Sequence, residues 1–276
     1  MEPLDSVGKE HLEEQKNYPT FIDNIFYEPK KDYCGIYITV NNEHDQSSNV
    51  EGLDKILMDK GVPYQLVVNR STEASVSCYA VLDLTGKTDA RETIEKDIRS
   101  LFGQKLVVFE YIHTNIPGVM CNTKSFPLML EVVGSKIPVT AFTHPFWGYL
   151  FGALYDTFGA GGLSIIWMMG RESAEGMRPI KALPLNSQHK LNVALIQLQL
   201  LGWGKFEILS AQDKNFNIRV FDNFECLNTK ELKGYQSSFM RGMLTGLATL
   251  LMDKKGNTVE RKCIKNGDPY CEFCFG

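Results

Sequence analysis

Apolar positions in the first half of the chain switch repeatedly between a two-residue and a helical repeat. Residues 32–40 (DYCGIYITV) alternate and predict a strand. Val50, Leu53, Ile56 and Leu57 then fall at helical spacing, and Gly61 stops that run. Residues 64–69 and 76–84 read as strands, the second ended by the turn Thr85-Gly86-Lys87. Ala90, Ile94, Ile98, Leu101 and Phe102 share one helix face, Gly103 closes it, and residues 105–112 (KLVVFEYI) form a last strand. The order βαββαβ builds a split, ferredoxin-like sheet with two helices on one face. Residues 113–135, with Pro117, Gly118 and Pro127, read as a linker or the start of the next unit.

The second half is more apolar. Phe146 to Gly170 spans 25 residues with one charge, Asp156, yet six glycines interrupt it. That pattern predicts a buried helix over 144–158, a glycine turn and a strand-like run over 163–169, with no membrane span. Leu191, Ala194, Leu195, Leu198 and Leu201 mark a helix over 187–201, closed by Gly202 and Gly204. Residues 206–211 and 216–222 alternate as strands around a polar turn at 212–215. Residues 235–252 carry the longest apolar stripe, and two final strands, 258–263 and 270–275, flank the turn Asn266-Gly267-Asp268-Pro269.

Composition adds limits. With 276 residues and 43% hydrophobic content, the chain has material for two cores. A net charge of −4 gives no electrostatic footprint for nucleic acid. The segment Met1 to Thr20 is charged and lacks an apolar stretch, so a signal peptide is not expected and a cytoplasmic location is. None of the five histidines falls in a metal-binding or catalytic spacing, and no phosphate-binding loop or nucleophile elbow occurs. No pair of carboxylates is placed for acid–base work, so the sequence names no catalytic residues and a non-enzymatic role is favoured.

Four of the seven cysteines lie in the last 51 residues. In a reducing compartment such thiols favour a metal over disulfides. Cys263 and Cys271 flank the final turn, which brings their thiols together, and Glu260 precedes Cys263 by three residues. Thiolates and a carboxylate suit zinc. Buried free cysteine in an apolar core is the competing reading. Cys271 and Cys274 are three apart and point to opposite faces of a regular strand.

These residues also carry a family resemblance. The run from Cys263 through Asn266-Gly267-Asp268-Pro269 to Cys271 and Phe273 resembles the terminal motif of the 4-vinyl reductase domain. Gly202-Trp203-Gly204 is similar to that family's turn after its helix, Asn223-Phe224-Glu225-Cys226 to a strand of its archaeal members, and Arg241-Gly242 to Gly246 to its glycine-bearing helix. The resemblance covers roughly 125–276. It implies an α/β domain enclosing an apolar ligand cavity, dimerisation, and, as in sensor domains of aromatic-responsive activators, a structural zinc held by three cysteines and a glutamate. Three of those ligands fall on Glu260, Cys263 and Cys271. The remaining cysteine falls on Ser237, a departure; Cys226 is the candidate replacement, with Cys274 or water as alternatives.

The expected architecture is therefore a tail (1–29), an ACT-like or ferredoxin-like domain (30–114) and a 4-vinyl reductase-type domain (125–276). The resemblance to ACT domains rests on element order alone and implies regulation or docking. Phe146, Trp147, Leu150, Phe151, Trp167, Trp203, Met240, Met243 and Leu247 are the candidate walls of a hydrophobic ligand site, although the same residues make an ordinary core. The leading reading is a sensor or carrier of a small hydrophobic ligand, acting as a homodimer and passing its signal to a protein partner. The resemblance also admits an enzyme or accessory in vinyl-group reduction of tetrapyrroles, or an assembly subunit.

Overall fold

The computed structural model describes residues 25–41, 46–71, 74–87, 89–114, 116, 118–121, 128–132, 134–211 and 215–276. The N-terminal tail to residue 24, most of the turn at 212–215 and part of the 113–135 segment lie outside the described residues. The chain is mixed α+β and divides into two compact units, Met1–Phe126 and Pro127–Gly276.

In the first unit, β1 (Ile25–Tyr27) precedes the predicted alternation: β2 (Tyr33–Asn41), α1 (Gln46–Asp59), β3 (Tyr64–Ser71), β4 (Ser75–Asp83), α2 (Ala90–Phe102) and β5 (Leu106–Ile112). The four-stranded sheet has the order β3-β4-β2-β5, antiparallel throughout. That is the ferredoxin-like arrangement expected from the βαββαβ order. Leu53 and Leu57 of α1 and Ile94, Ile98 and Phe102 of α2 pack on Ile36, Ile38, Val40, Ala80 and Leu82, all buried. On the opposite face, Tyr79, Val81 and Ile112 pack around Met120. Met120 belongs to β6 (Val119–Cys121), which pairs with β1, so this part of the expected linker is a strand of the first unit.

The second unit opens with a hairpin, β7 (Leu128–Val132) and β8 (Ser135–Val139), followed by α3 (His144–Phe158) and α4 (Ala160–Ser173). Residues 163–169 are thus helical, and the expected strand there is corrected. Gly159 ends α3 at φ +54°, and the chain restarts at once as a second helix. A short apolar run does not distinguish a buried strand from a helix. After a 3-10 turn come α5 (Arg178–Lys181), α6 (Ser187–Leu200), β9 (Lys205–Ala211), β10 (Phe216–Phe221), α7 (Phe224–Asn228), α8 (Ser238–Met252), β11 (Thr258–Lys262) and β12 (Cys271–Phe275). Residues 223–226, expected as a strand, are the N-cap and first turn of α7: the Asn223 carboxamide accepts from the Glu225 N–H.

The sheet order is β11-β12-β10-β9, antiparallel. One face presents Ile218, Val220, Cys271 and Phe273, each fully buried. Helix α8 is buried on nearly every side, in keeping with a sequence whose one charge is Arg241. It packs against α4, α6 and the sheet. Glycines set the closest of these contacts. A Cβ on Gly170 would stand 2.1 Å from the Phe239 carbonyl, and one on Gly242 would stand 2.0 Å from the Trp167 carbonyl. Backbone therefore meets backbone where α4 crosses α8. Among the described residues, no helix is long and apolar enough to cross a membrane.

Candidate metal centre

Four ligand-bearing side chains converge at the C-terminal edge of the second unit. Cys226 comes from α7, Glu260 from β11, Cys263 from the residue after β11, and Cys271 from the start of β12. Their ligand atoms all lie within 4.8 Å of one another, and the three cysteines are buried. Cys226 Sγ stands 3.5 Å from Cys263 Sγ and 3.7 Å from Cys271 Sγ. Thiolates bound to zinc at about 2.3 Å in a tetrahedron are about 3.8 Å apart, so these separations match a tetrahedral edge. The donor set and its spacing fit a metal ion.

Local chemistry explains the convergence. The turn between β11 and β12 carries Gly267 at φ +90°, and the Asp268 carboxylate accepts the Cys263 N–H at 2.9 Å. Asp268 thus braces the turn and aims Cys263 inward. Ser237 is the N-cap of α8; its hydroxyl donates to one Glu260 oxygen and accepts from the Cys226 thiol at 2.8 Å, and its N–H donates to the other Glu260 oxygen. The position at which the resemblance places a cysteine therefore holds a hydroxyl that links two of the four groups. Cys274 lies apart, its Sγ donating to Asn217 Oδ1 at 3.3 Å.

Burial pushes the Glu260 carboxyl up to about 7, with Cys263 adding to the rise and the Ser237 donors opposing it. Shared hydrogen bonds with Cys263 and Cys271, together with burial, raise the Cys226 thiol. Hydrogen bonds with Cys226 and Cys271 lower the Cys263 thiol. Lys265 supplies a nearby cation. Its ammonium donates to the Thr229 and Leu232 carbonyls at 2.7 and 3.0 Å, and burial lowers its pKa against the pull of the cluster.

Beside the cluster, Glu225 is fully buried and caps α8. Its carboxylate accepts the Phe239 and Met240 N–H groups, both at 2.8 Å, and the Tyr235 hydroxyl at 2.7 Å. Burial raises its pKa to about 7 against these three donors. Neither Glu225 nor Asn223 stands out in the sequence as a site residue. Asn223, an N-cap residue type directly before Phe224, was the available signal.

The expected ligand walls divide. Trp147, Phe151 and Trp203 join Phe224 and Phe239 in one aromatic cluster, with ring centroids 5.3–6.4 Å apart. Phe146, half exposed, stacks on Phe142 at 4.3 Å and meets Trp147 edge-on. Leu150 is partly buried on the same helix. Met240, Met243 and Leu247 are buried along α8 in the core. Trp167 stands elsewhere, under the Arg171 guanidinium at 5.2 Å, and lines a polar groove of about 380 Å³ with Thr245, Thr249 and Lys255.

The sequence matches no family model and no curated protein. Among solved structures, the phenol-responsive sensory domain of the transcription activator PoxR with phenol is similar over 53% of this chain and 83% of its own. The identity is 18% and the TM-score 0.48. A vinyl-4-reductase family protein from Methanocaldococcus jannaschii is similar over 50% of this chain and 83% of its own, at 16% identity and a TM-score of 0.36.

Proposed function

We propose that the second unit is a zinc-braced domain that binds a small hydrophobic ligand, aromatic or acyl, as a non-catalytic sensor or carrier. One observation carries this reading: four consecutive residues connect the thiol cluster to the aromatic one. Asn223 and Cys226 face the thiols, Phe224 lies among the aromatic rings, and Glu225 caps the helix that carries Met240, Met243 and Leu247. Helix α3 sits directly on this segment, since a Cβ on Gly148 would stand 2.6 Å from the Asn228 carbonyl.

In this reading zinc is held by Cys226, Glu260, Cys263 and Cys271, and it supplies folding free energy when bound. Four protein ligands complete a tetrahedral set, which suits a structural role. The protein's own residues then hold the floor of the aromatic cluster still. A ligand that inserts among Trp147, Phe151 and Trp203 favours whichever arrangement of α3 admits it, and differential affinity for that arrangement is the signal. Tyr149 and Phe158 of α3 and Met168 of α4 are 80%, 57% and 52% exposed, apolar surface that a second copy would cover in part.

Native mass spectrometry of the full chain, purified from two hosts, tests the ligand. A bound hydrophobic small molecule, or quenching of tryptophan emission by added phenol or a medium-chain fatty acid, is expected. Ligand-free protein from both hosts with no response to either probe refutes the ligand. Elemental analysis tests the metal: about one zinc per chain in the wild type, lost in Cys263→Ser and Cys271→Ser. Equal zinc in all three refutes the site. Sedimentation at micromolar concentration tests the dimer, and a monomer refutes it.

A further inference from the structure

The thiol cluster carries an excess of negative charge whatever divalent ion it holds. Three thiolates and a carboxylate exceed the ion's charge by two, in a site removed from water. Such a site needs hydrogen-bond donors aimed at its sulfurs. Asn223 provides them. Its side chain is fully buried. Its Oδ1 accepts the Glu225 N–H at 3.2 Å, which fixes which end of the carboxamide faces the cluster. Its Nδ2, with two hydrogens to donate, then stands 3.5 Å from each of Cys226 Sγ, Cys271 Sγ and Ser237 Oγ. The two sulfurs belong to elements 45 residues apart, α7 and β12, so a single amide spans the cluster.

We propose that Asn223 is the positioning residue that sets the metal affinity of the cluster, by donating hydrogen bonds to two of its thiolate ligands. The inference rests on the metal-binding reading above and adds the residue that tunes it. An N–H···S bond draws electron density from sulfur and spreads the excess charge. It also holds Cys226 and Cys271 at the separation the ion requires. Without it, the thiolates repel one another and hold the ion less tightly.

Asn223→Asp separates this role from capping. The aspartate keeps an oxygen for the Glu225 N–H, and sets a second oxygen where the N–H groups stood. The full chain is stripped of metal, then titrated with cobalt(II) and, in competition with a chelator, with zinc. The expected result is a loss of about 10–100-fold in zinc affinity, the range found for groups that orient metal ligands. The sulfur-to-cobalt charge-transfer band is expected to shift to lower energy, because sulfurs that have lost their donors give up electrons more readily. That shift is a readout that a change in folding alone does not produce. Should Asn223→Asp fail to fold, Asn223→Ser retains a capping hydroxyl too short to reach the sulfurs, and the same weakening and shift are expected. A variant that folds, binds zinc within about threefold of wild type and leaves the band unmoved overturns the inference alone. A wild type that binds neither cobalt nor zinc overturns the metal-binding reading and the inference with it.

Discussion

Gly242→Ala and Gly161→Ala are the same chemical change with opposite expected signs. At Gly242 the new methyl would stand 2.0 Å from the Trp167 carbonyl oxygen and 2.9 Å from the Arg171 nitrogen. Both are backbone atoms of α4, and no rotamer can relieve the clash. The helices must separate by about 1 Å in a core packed to crystal density. Overpacking of this kind costs about 1–3 kcal/mol, and a backbone-to-backbone clash lies at the upper end. The gain in helix propensity returns about 1 kcal/mol. The net loss of about 2 kcal/mol lowers the melting temperature of a unit this size by about 4–8 °C. At Gly161, on the exposed side of α4, the methyl meets only the Phe158 Cβ at 3.9 Å. Propensity alone acts there, raising stability by about 0.5–1 kcal/mol. All three tryptophans, Trp147, Trp167 and Trp203, lie in the second unit, so tryptophan emission during thermal unfolding isolates the effect. Equal shifts in the two variants, or an unchanged Gly242→Ala, refute the close crossing of α4 and α8.

Three further outcomes are expected. Glu225→Gln, measured at pH 8, leaves at least one of the Phe239 and Met240 N–H groups facing a donor and removes the charge at the start of α8; a loss of about 2–5 kcal/mol in urea unfolding is expected, and a loss below about 0.5 kcal/mol contradicts the cap. Removing metal with a chelator is expected to lower the tryptophan-detected transition of the second unit and to leave the helical signal of the first unit's transition in place; a common shift of both contradicts a local brace. In the first unit, burial pushes Asp83 up, but the Lys31 ammonium at 2.7 Å and the Thr85 donors outweigh it, so its carboxyl sits below the ordinary range. A depressed carboxylate stabilises the fold above its unfolded pKa, and that contribution is lost as pH falls through the folded value. Asp83→Asn is expected to flatten the acid side of the stability profile below about pH 4, and an unchanged profile contradicts the pair.

The first unit was legible because its periodicities are clean. Short apolar runs rich in β-branched and aromatic residues mark the main strands, each helix has one apolar face, and Gly61, Gly86 and Gly103 mark the stops at positive φ. Only the pair β1–β6 escaped, since three-residue strands carry no periodic signal. In the second unit the same method failed at residues 163–169. A helix that packs through glycine on one side and stays apolar on the other has no polar stripe to betray its period. Gly162 and Gly170 read as breakers in sequence, whereas in space they admit the Leu154 and Phe239 carbonyls.

The cluster of thiols and Glu260 divides along a similar line. Glu260, Cys263 and Cys271 share one hairpin, and a turn motif places them together by local rules alone. Cys226 lies 37 residues before Cys263, and no local rule joins them. What brings α7 to that hairpin is a set of long-range polar contacts: Lys265 holding the carbonyls of Thr229 and Leu232, Ser237 tying Cys226 to Glu260, and Glu225 seating α8. None of these long-range contacts follows from a local pattern. Together they close the gap left by the serine at position 237. A cysteine there would contribute a thiolate directly. The serine instead orders Glu260 and meets Cys226, which stands on the helix that carries Phe224 into the aromatic cluster.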